Sequence, residues 1–310
     1  MTILQTTPLP SPQQPSDLLG DAVPILDQLD DPCVWLRAQG GDVECLITHS
    51  MRGAPAALLN SLPNLKLIAN FGAGIDLIDV EAARRGQVAI TASGDVLTHD
   101  VADMALWQIL TLLRGNAHAD AFVRAGDWTG GPLPLGRSAR GRRIGILGFG
   151  RIGQAIALRA EAIGMIVGYH SRSAVLWSEL RHEADPLALA RWADVVVVAL
   201  PGGAKTEAFV DAAFLDALGP EGMLVNIARG SVIDERALIA ALRDRRLGAA
   251  ALDVFRGEPA LDPDLLEAPN LLLTPHIGSA TRDARVAMLE HVVANVRAFR
   301  SGMPLAGRIL

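Results

Sequence analysis

Lysine is almost missing from this chain. Lys66 and Lys205 are the only two, so arginine supplies nearly all the positive charge and few candidates exist for a catalytic lysine. Cysteine is as scarce. Cys33 and Cys45 alone make neither a disulfide framework nor a four-ligand zinc site, so no metal and a reduced, cytoplasmic setting are expected. No long basic run is present and the net charge is −6, which argues against nucleic acid as a partner. No apolar run reaches the roughly 18 residues that a membrane helix needs, so no membrane is expected either. Residues 1–19 are rich in proline, show little periodicity and lack the charged start and apolar run of a signal peptide. They read as a loose leader. What is present is a chain of 310 residues, 50% apolar and 20% charged, enough for two domains with sizeable cores.

Short apolar runs alternate with helical patterns, the signature of a parallel sheet covered by helices. A run ending near Leu147, then Met165–Tyr169, Val195–Leu200, Met223–Ala228, Ala250–Val254 and Leu271–Thr274, predict six strands. Helices are predicted near 206–218 and 234–244 in the crossovers. Right-handed crossovers would make this a six-stranded, doubly wound, dinucleotide-binding sheet. Glu44–Thr48, Leu65–Asn70 and Val88–Thr91, with helices near 54–60 and 79–86, predict a second, smaller α/β unit. A helix at about 99–114 is expected to link the two, and one at about 281–301 to return to the smaller unit. No internal repeat is found.

Between the first of the six strands and the helix that follows lies Gly148-Phe-Gly150-Arg-Ile-Gly153. Gly148 permits a tight turn, Gly150 lets a pyrophosphate approach the backbone, and Gly153 lets helix and strand pack closely. The phosphates would rest on the N–H groups of Arg151 and Ile152 at the helix start. Three ionisable residues follow the last three strands: Arg229, Glu258 and His276. Ligands bind outside the carboxyl ends of such sheets, so these side chains could converge beside the nicotinamide. Their chemistry suits carbonyl reduction. An arginine fork holds a carboxylate and polarises a carbonyl. A histidine protonates the alkoxide left by hydride delivery, and a neighbouring carboxylate stabilises its charged form.

The strings Asn226-Ile-Ala-Arg-Gly-Ser-Val-Ile-Asp234, Leu252-Asp-Val-Phe-Arg-Gly-Glu-Pro259 and Thr274-Pro-His-Ile-Gly-Ser-Ala-Thr281 resemble signatures of the D-isomer-specific 2-hydroxyacid dehydrogenases, from about Asn60 to the C-terminus. Within that family the chain is most similar to the glyoxylate/hydroxypyruvate reductase branch. The resemblance implies two Rossmann-like α/β domains. One is a flavodoxin-like substrate domain, 1–97 plus 282–310, and the other an inserted dinucleotide domain, 98–281. It implies Arg229 as binder of carboxylate and carbonyl, His276 as acid/base and Glu258 as its partner. It implies that Asp253 holds the nicotinamide carboxamide, with further cofactor contacts at Thr98, Val101, Leu200, Pro201, Thr206, Ile227, Ala228 and Gly278. Phe71, Gly72, Ala73 and Gly74 match the family's substrate loop. The related phosphite dehydrogenases carry lysine where Ala73 stands, so phosphite is a poor candidate. Asp100 and Asp103, near the start of the linking helix, also suit a plain helix-dipole role. Trp128 lies where some family reductases project an aromatic residue into a neighbouring subunit, but Gly130 and Gly131 follow it here. A homodimer is the family's usual assembly.

An NAD-specific fold places an acidic residue about 20 positions beyond the glycines. This chain has His170, followed by Ser171, Arg172 and Ser173. Arginine and serine can pair with a 2′-phosphate, so NADPH is expected to be preferred, with NADH possible. The expected reaction is reduction of glyoxylate or hydroxypyruvate to a D-2-hydroxy acid. Larger substrates such as phenylpyruvate, hydroxyphenylpyruvate or 2-ketogluconate are an alternative, and a dinucleotide-sensing regulatory protein a remote one.

Overall fold

The apolar stretches form two parallel sheets in a computed structural model that describes residues 2–176 and 178–310. The chain divides into two compact units: Met1–Thr98 with Ser279–Leu310, and His99–Gly278. The first division falls inside one helix, Gly94–Arg114, which starts earlier than the sequence pattern predicts.

The smaller unit holds β1 (Thr2–Gln5), β2 (Val43–His49), β3 (Leu67–Phe71) and β4 (Ala89–Ala92), all parallel and in that spatial order. A parallel bridge from Gln5 to Ile25 adds one rung outside β1. Counting it, the order is 2-1-3-4-5, that of flavodoxin-like sheets. The helix Arg282–Arg300 packs on β3 and β4, so the chain's end belongs to this unit. Its start belongs here too, which corrects the expected loose leader. Ile3, Leu4 and Gln5 are buried in β1, and Pro15–Leu19 is a short helix. Four residues are too few to display strand alternation, and the partner that satisfies their backbone groups, β2, is remote in sequence.

The larger unit holds β5 (Arg143–Leu147), β6 (Ile166–His170), β7 (Arg181–His182), β8 (Val195–Val198), β9 (Met223–Asn226), β10 (Ala249–Leu252) and β11 (Leu271–Leu273). Their order is β11-β10-β9-β8-β5-β6-β7, all parallel. This is the doubly wound 3-2-1-4-5-6 order with one strand added. The sheet has seven strands, not the expected six, because the two-residue β7 has no readable period and exists only as a rung on β6. The four valines of β8 are all buried, as a strand covered on both faces requires. The predicted helix near 206–218 forms only from Ala212. Asp211 caps it by accepting the Phe214 N–H, and Thr206 lies in a turn before it. Among the described residues no helix is long and apolar enough to cross a membrane.

Candidate active site

The turn after β5 is shaped by space as well as by conformation. Gly148 has φ +95°, and a Cβ there would lie 2.6 Å from the Ala199 carbonyl oxygen. A Cβ on Gly153 would lie 2.2 Å from the Gly148 carbonyl oxygen, so the helix Arg151–Ala162 meets the turn through bare backbone. Gly150 is different: a Cβ there would meet nothing within 4 Å. No side chain caps this helix, and its first N–H groups face that open position. The space suits an anionic group brought close to the backbone, as a pyrophosphate would be. Arg151 is exposed and Ile152 half-buried.

At the end of β6, His170 Nδ1 lies 2.9 Å from the Glu183 carbonyl oxygen. Arg172 and Ser173 are exposed, and the Ser171 hydroxyl donates to the Ser173 carbonyl at 2.7 Å. After β8, the Thr206 hydroxyl donates to the Pro201 carbonyl at 2.6 Å and so ties down the Leu200–Pro201 turn. Thr98 is buried and its hydroxyl donates to the Gly94 carbonyl. Asp103 pairs with Arg159 at 2.5 Å, and with the helix beginning at Gly94 it lies well past the first turn. The helix-start role weighed for it therefore does not apply.

The three strand-end groups share one unit. The carboxylate Oε2 of Glu258 lies 2.7 Å from His276 Nδ1, and its Oε1 accepts the Phe255 N–H at 2.7 Å. Burial disfavours charge on Glu258. The His276 hydrogen bond, the Phe255 N–H and the charges of His276 and Arg229 outweigh it, holding the carboxyl below its ordinary pKa. Arg229, half-buried, follows a brace made by Asn226. Asn226 Oδ1 accepts the Ala228 N–H and its Nδ2 donates to the Arg229 carbonyl, both at 3.0 Å. Ile227 and Ala228 are buried. A Cβ on Gly230 would sit 1.9 Å from the Phe255 carbonyl carbon, so the loops after β9 and β10 touch backbone to backbone. That contact sets Arg229 beside Glu258.

His276 itself adopts φ +53°, uncommon for a side chain other than glycine or asparagine. Asp253 holds the segment that follows it: Oδ1 accepts the Ile277 N–H at 2.9 Å and Oδ2 the Gly278 N–H at 2.7 Å. Burial pushes the Asp253 carboxyl above its usual pKa, against the pull of Thr274, these two N–H groups and the His276 charge. A Cβ on Gly278 would meet Asp253 Oδ2 at 3.0 Å and the Val101 side chain at 3.7 Å. Val101, Asp253 and Gly278 therefore stand together.

In the smaller unit, the turn Phe71–Gly74 closes β3. Asn70 Nδ2 lies within bonding distance of Ser50 Oγ and of the Gly72 and Gly74 carbonyls. Gly72 has φ +134°, and a Cβ there would lie 2.1 Å from Ser50 Oγ. Among the described residues, no protein acceptor pairs with the N–H of Gly72, Ala73 or Gly74. The Arg285 guanidinium stands 5.7 Å from the centre of the Phe71 ring, a residue that sequence reasoning passed over.

Known proteins align with this arrangement. The profile of the D-isomer specific 2-hydroxyacid dehydrogenase, NAD binding domain, matches residues 106–278. The chain is 44% identical to a 2-ketogluconate reductase of Gluconobacter oxydans over 254 residues, 82% of each protein. It is 40% identical to a glyoxylate/hydroxypyruvate reductase of Arabidopsis thaliana over 272 residues, 88% of this chain and 87% of that one. The chain belongs to the D-isomer specific 2-hydroxyacid dehydrogenase family. The crystal structure of the NADPH-dependent glyoxylate/hydroxypyruvate reductase of Sinorhizobium meliloti, with NADP and malonate, superposes with a TM-score of 0.90 at 34% identity. It covers 99% of this chain and 96% of that one.

In this dehydrogenase, sequence reasoning missed Asn226 and Gly230 as parts of the site. Asn226 stood in a quoted string, yet its amide spans a turn that only the folded loop creates. Among the described residues no group of three metal-ligating side chains occurs. The lowered Glu258 pKa has a pH consequence. A carboxyl whose folded pKa is depressed stabilises above its unfolded value and loses that contribution as pH falls through the folded one. The stability difference between wild type and Glu258→Gln is therefore expected to be full near neutrality and to vanish only below the ordinary glutamate range. Chemical denaturation across pH checks this, and a difference that grows toward acid overturns it.

Proposed function

We propose that this dehydrogenase reduces small 2-oxo acids, glyoxylate and hydroxypyruvate, to D-2-hydroxy acids with NADPH. The observation that carries this reading is the bonded Glu258–His276 pair with Arg229 beside it. When bound, the reduced nicotinamide supplies hydride to the substrate's carbonyl carbon. Arg229 holds the substrate carboxylate and polarises the carbonyl through charge-assisted bonds. Ionised Glu258 accepts the Nδ1–H of His276, fixing the ring so that Nε2 presents the proton to the developing alkoxide. In the reverse direction the neutral ring takes that proton back. In the smaller unit, the Phe71–Gly74 turn offers unspent N–H groups of the kind that bind a carboxylate. Asp253, Val101 and Gly278 line the nicotinamide end of the cofactor, with Ile227, Ala228, Leu200, Pro201, Thr206 and Thr98 as further contacts. Gly148, Gly150, Arg151, Ile152 and Gly153 form the pyrophosphate cradle.

The NADPH preference rests on the end of β6. No carboxylate stands at His170 to repel a 2′-phosphate, and the exposed Arg172 is free to turn toward one. Ser173 can join it, whereas Ser171 must first release the Ser173 carbonyl. The test is a spectrophotometric assay with both reduced cofactors over a panel of 2-oxo acids. Turnover of glyoxylate or hydroxypyruvate with NADPH favoured is expected, and Arg172→Ala should lower the NADPH-to-NADH efficiency ratio about tenfold or more. An unchanged ratio removes Arg172 from the cofactor site. No turnover of any 2-oxo acid overturns the function. One observation favours a second reading, reduction of 2-ketogluconate: the 44% identity to the Gluconobacter enzyme of that name. The same panel separates the two.

The assembly we propose is a cytoplasmic homodimer. In the larger unit, Trp107, Val123, Trp128 and Leu135 are exposed, with Leu135 fully so at 100%. Large apolar side chains left in water within one stretch of the chain are candidates for burial against a second copy. Sedimentation should give twice the chain mass, and Trp128→Glu should shift it toward the monomer. A wild-type monomer at micromolar concentration refutes the dimer.

A further inference from the structure

We infer that Gln108 and Thr274 are positioning residues that act through Asp253 to hold the His276–Gly278 segment in the geometry that proton transfer uses. The inference rests on the acid–base role proposed for His276. Thr274 Oγ1 lies 2.6 Å from Asp253 Oδ1 and 3.5 Å from the Leu252 carbonyl oxygen. The shorter contact is in the range of a hydroxyl donating to a carboxylate, so the single hydroxyl hydrogen goes to Asp253. The oxygen can then only accept from Gln108, whose Nε2 is 3.1 Å away. The donor direction is thus determined along the whole chain, from Gln108 to Thr274 to Asp253.

This direction leaves a penalty in place. Gln108 is fully buried, and among the described residues its Oε1 has no partner. Turning the amide over would pair Oε1 with Thr274 but take the hydroxyl hydrogen from Asp253. The fold leaves a neutral acceptor unpaired and keeps the donor on the carboxylate. What that carboxylate holds is the catalytic segment. His276 is clasped on one side by its own N–H donating to the Thr274 carbonyl at 3.0 Å, and on the other by the two N–H groups that Asp253 accepts. Thr274 is part of both clasps. The left-handed backbone of His276 lies between them, so loosening Asp253 releases the ring from its aim.

Thr274→Val keeps the shape and removes the donor. In the enzyme loaded with NADPH, kcat is expected to fall about tenfold with KM within about twofold, since misaim costs the transition state and not binding. In the cofactor-free enzyme, amide exchange at Ile277 and Gly278 should quicken, while that at Asp253, whose N–H donates to the Asn226 carbonyl, stays slow. Thr274→Ser restores both readouts. Gln108→Met moves both in the same direction by less, and adding it to Thr274→Val has no further effect. Wild-type kcat and unchanged exchange at Ile277 and Gly278 in Thr274→Val, or additive losses in the double variant, overturn the inference. Failure of the reductase reading looks different: wild type turns over no 2-oxo acid, while the amides still loosen in Thr274→Val.

Discussion

His276→Asn is expected to lower kcat by about 10²–10⁴-fold, the usual worth of a positioned acid–base group, with little change in NADPH affinity. Asparagine is the informative replacement. It tolerates the left-handed backbone that His276 occupies at φ +53°, so the variant separates lost proton transfer from a collapsed loop. His276→Ala would confound the two. The stability of His276→Asn should stay within about 1 kcal/mol of wild type, because the Asp253 clasp on the next two N–H groups remains. Single-turnover kinetics of hydride transfer is the decisive measurement. A wild-type rate in the asparagine variant removes His276 from the mechanism.

Gly230→Ala is expected to destabilise the fold by about 3 kcal/mol and to reduce kcat/KM together with it. The added methyl would lie 1.9 Å from the Phe255 carbonyl carbon, 2.2 Å from its oxygen and 2.4 Å from the Arg256 nitrogen. These are backbone atoms, so no rotamer change relieves the clash. The loops after β9 and β10 must separate. One carries Arg229. The other supplies the Phe255 N–H that holds Glu258 and the Arg256 N–H that donates to Glu235 at 2.6 Å. Stability and catalysis are therefore linked at this contact. Equilibrium denaturation with parallel kinetics tests it, and a variant within 1 kcal/mol of wild type with normal kcat/KM refutes it.

Among the residues of the site, Arg229, Glu258 and His276 were recognisable because they carry their chemistry in the side chain and lie within a few residues of a strand end. The glycines of the β5 turn were recognisable by their spacing between a strand and a helix. Residues that act by spanning a gap were invisible. Gly230 looks like any small residue after an arginine, and the need for it comes from Phe255, on a different strand's loop. Asn70 reads as a strand end and Asn226 as a residue within the predicted strand Met223–Ala228, yet each ties a turn through its amide. Gln108 reads as a helix residue, and its link to Thr274 crosses from that helix to the end of β11.

The amino-acid order alone determined the alternation of strand and helix, the presence of two α/β units and the chemistry available at the strand ends. These depend on local periodicity and on residue types that sit close together in the chain. Tertiary structure alone decided that Thr2–Gln5 is a strand, that a seventh strand of two residues joins the larger sheet, and that the 206–218 segment becomes helical only from Ala212. It also decided that Asp253 grips the His276 segment through main-chain N–H groups. The first two depend on a backbone partner remote in sequence, the third on the pairing of Ala208 and Val210 with the Ser231 and Val232 carbonyls, which holds that stretch extended, and the last on the path the loop takes back across the sheet. Hydrogen bonds and close contacts between distant residues leave no period in the chain, so they exist only once it has folded.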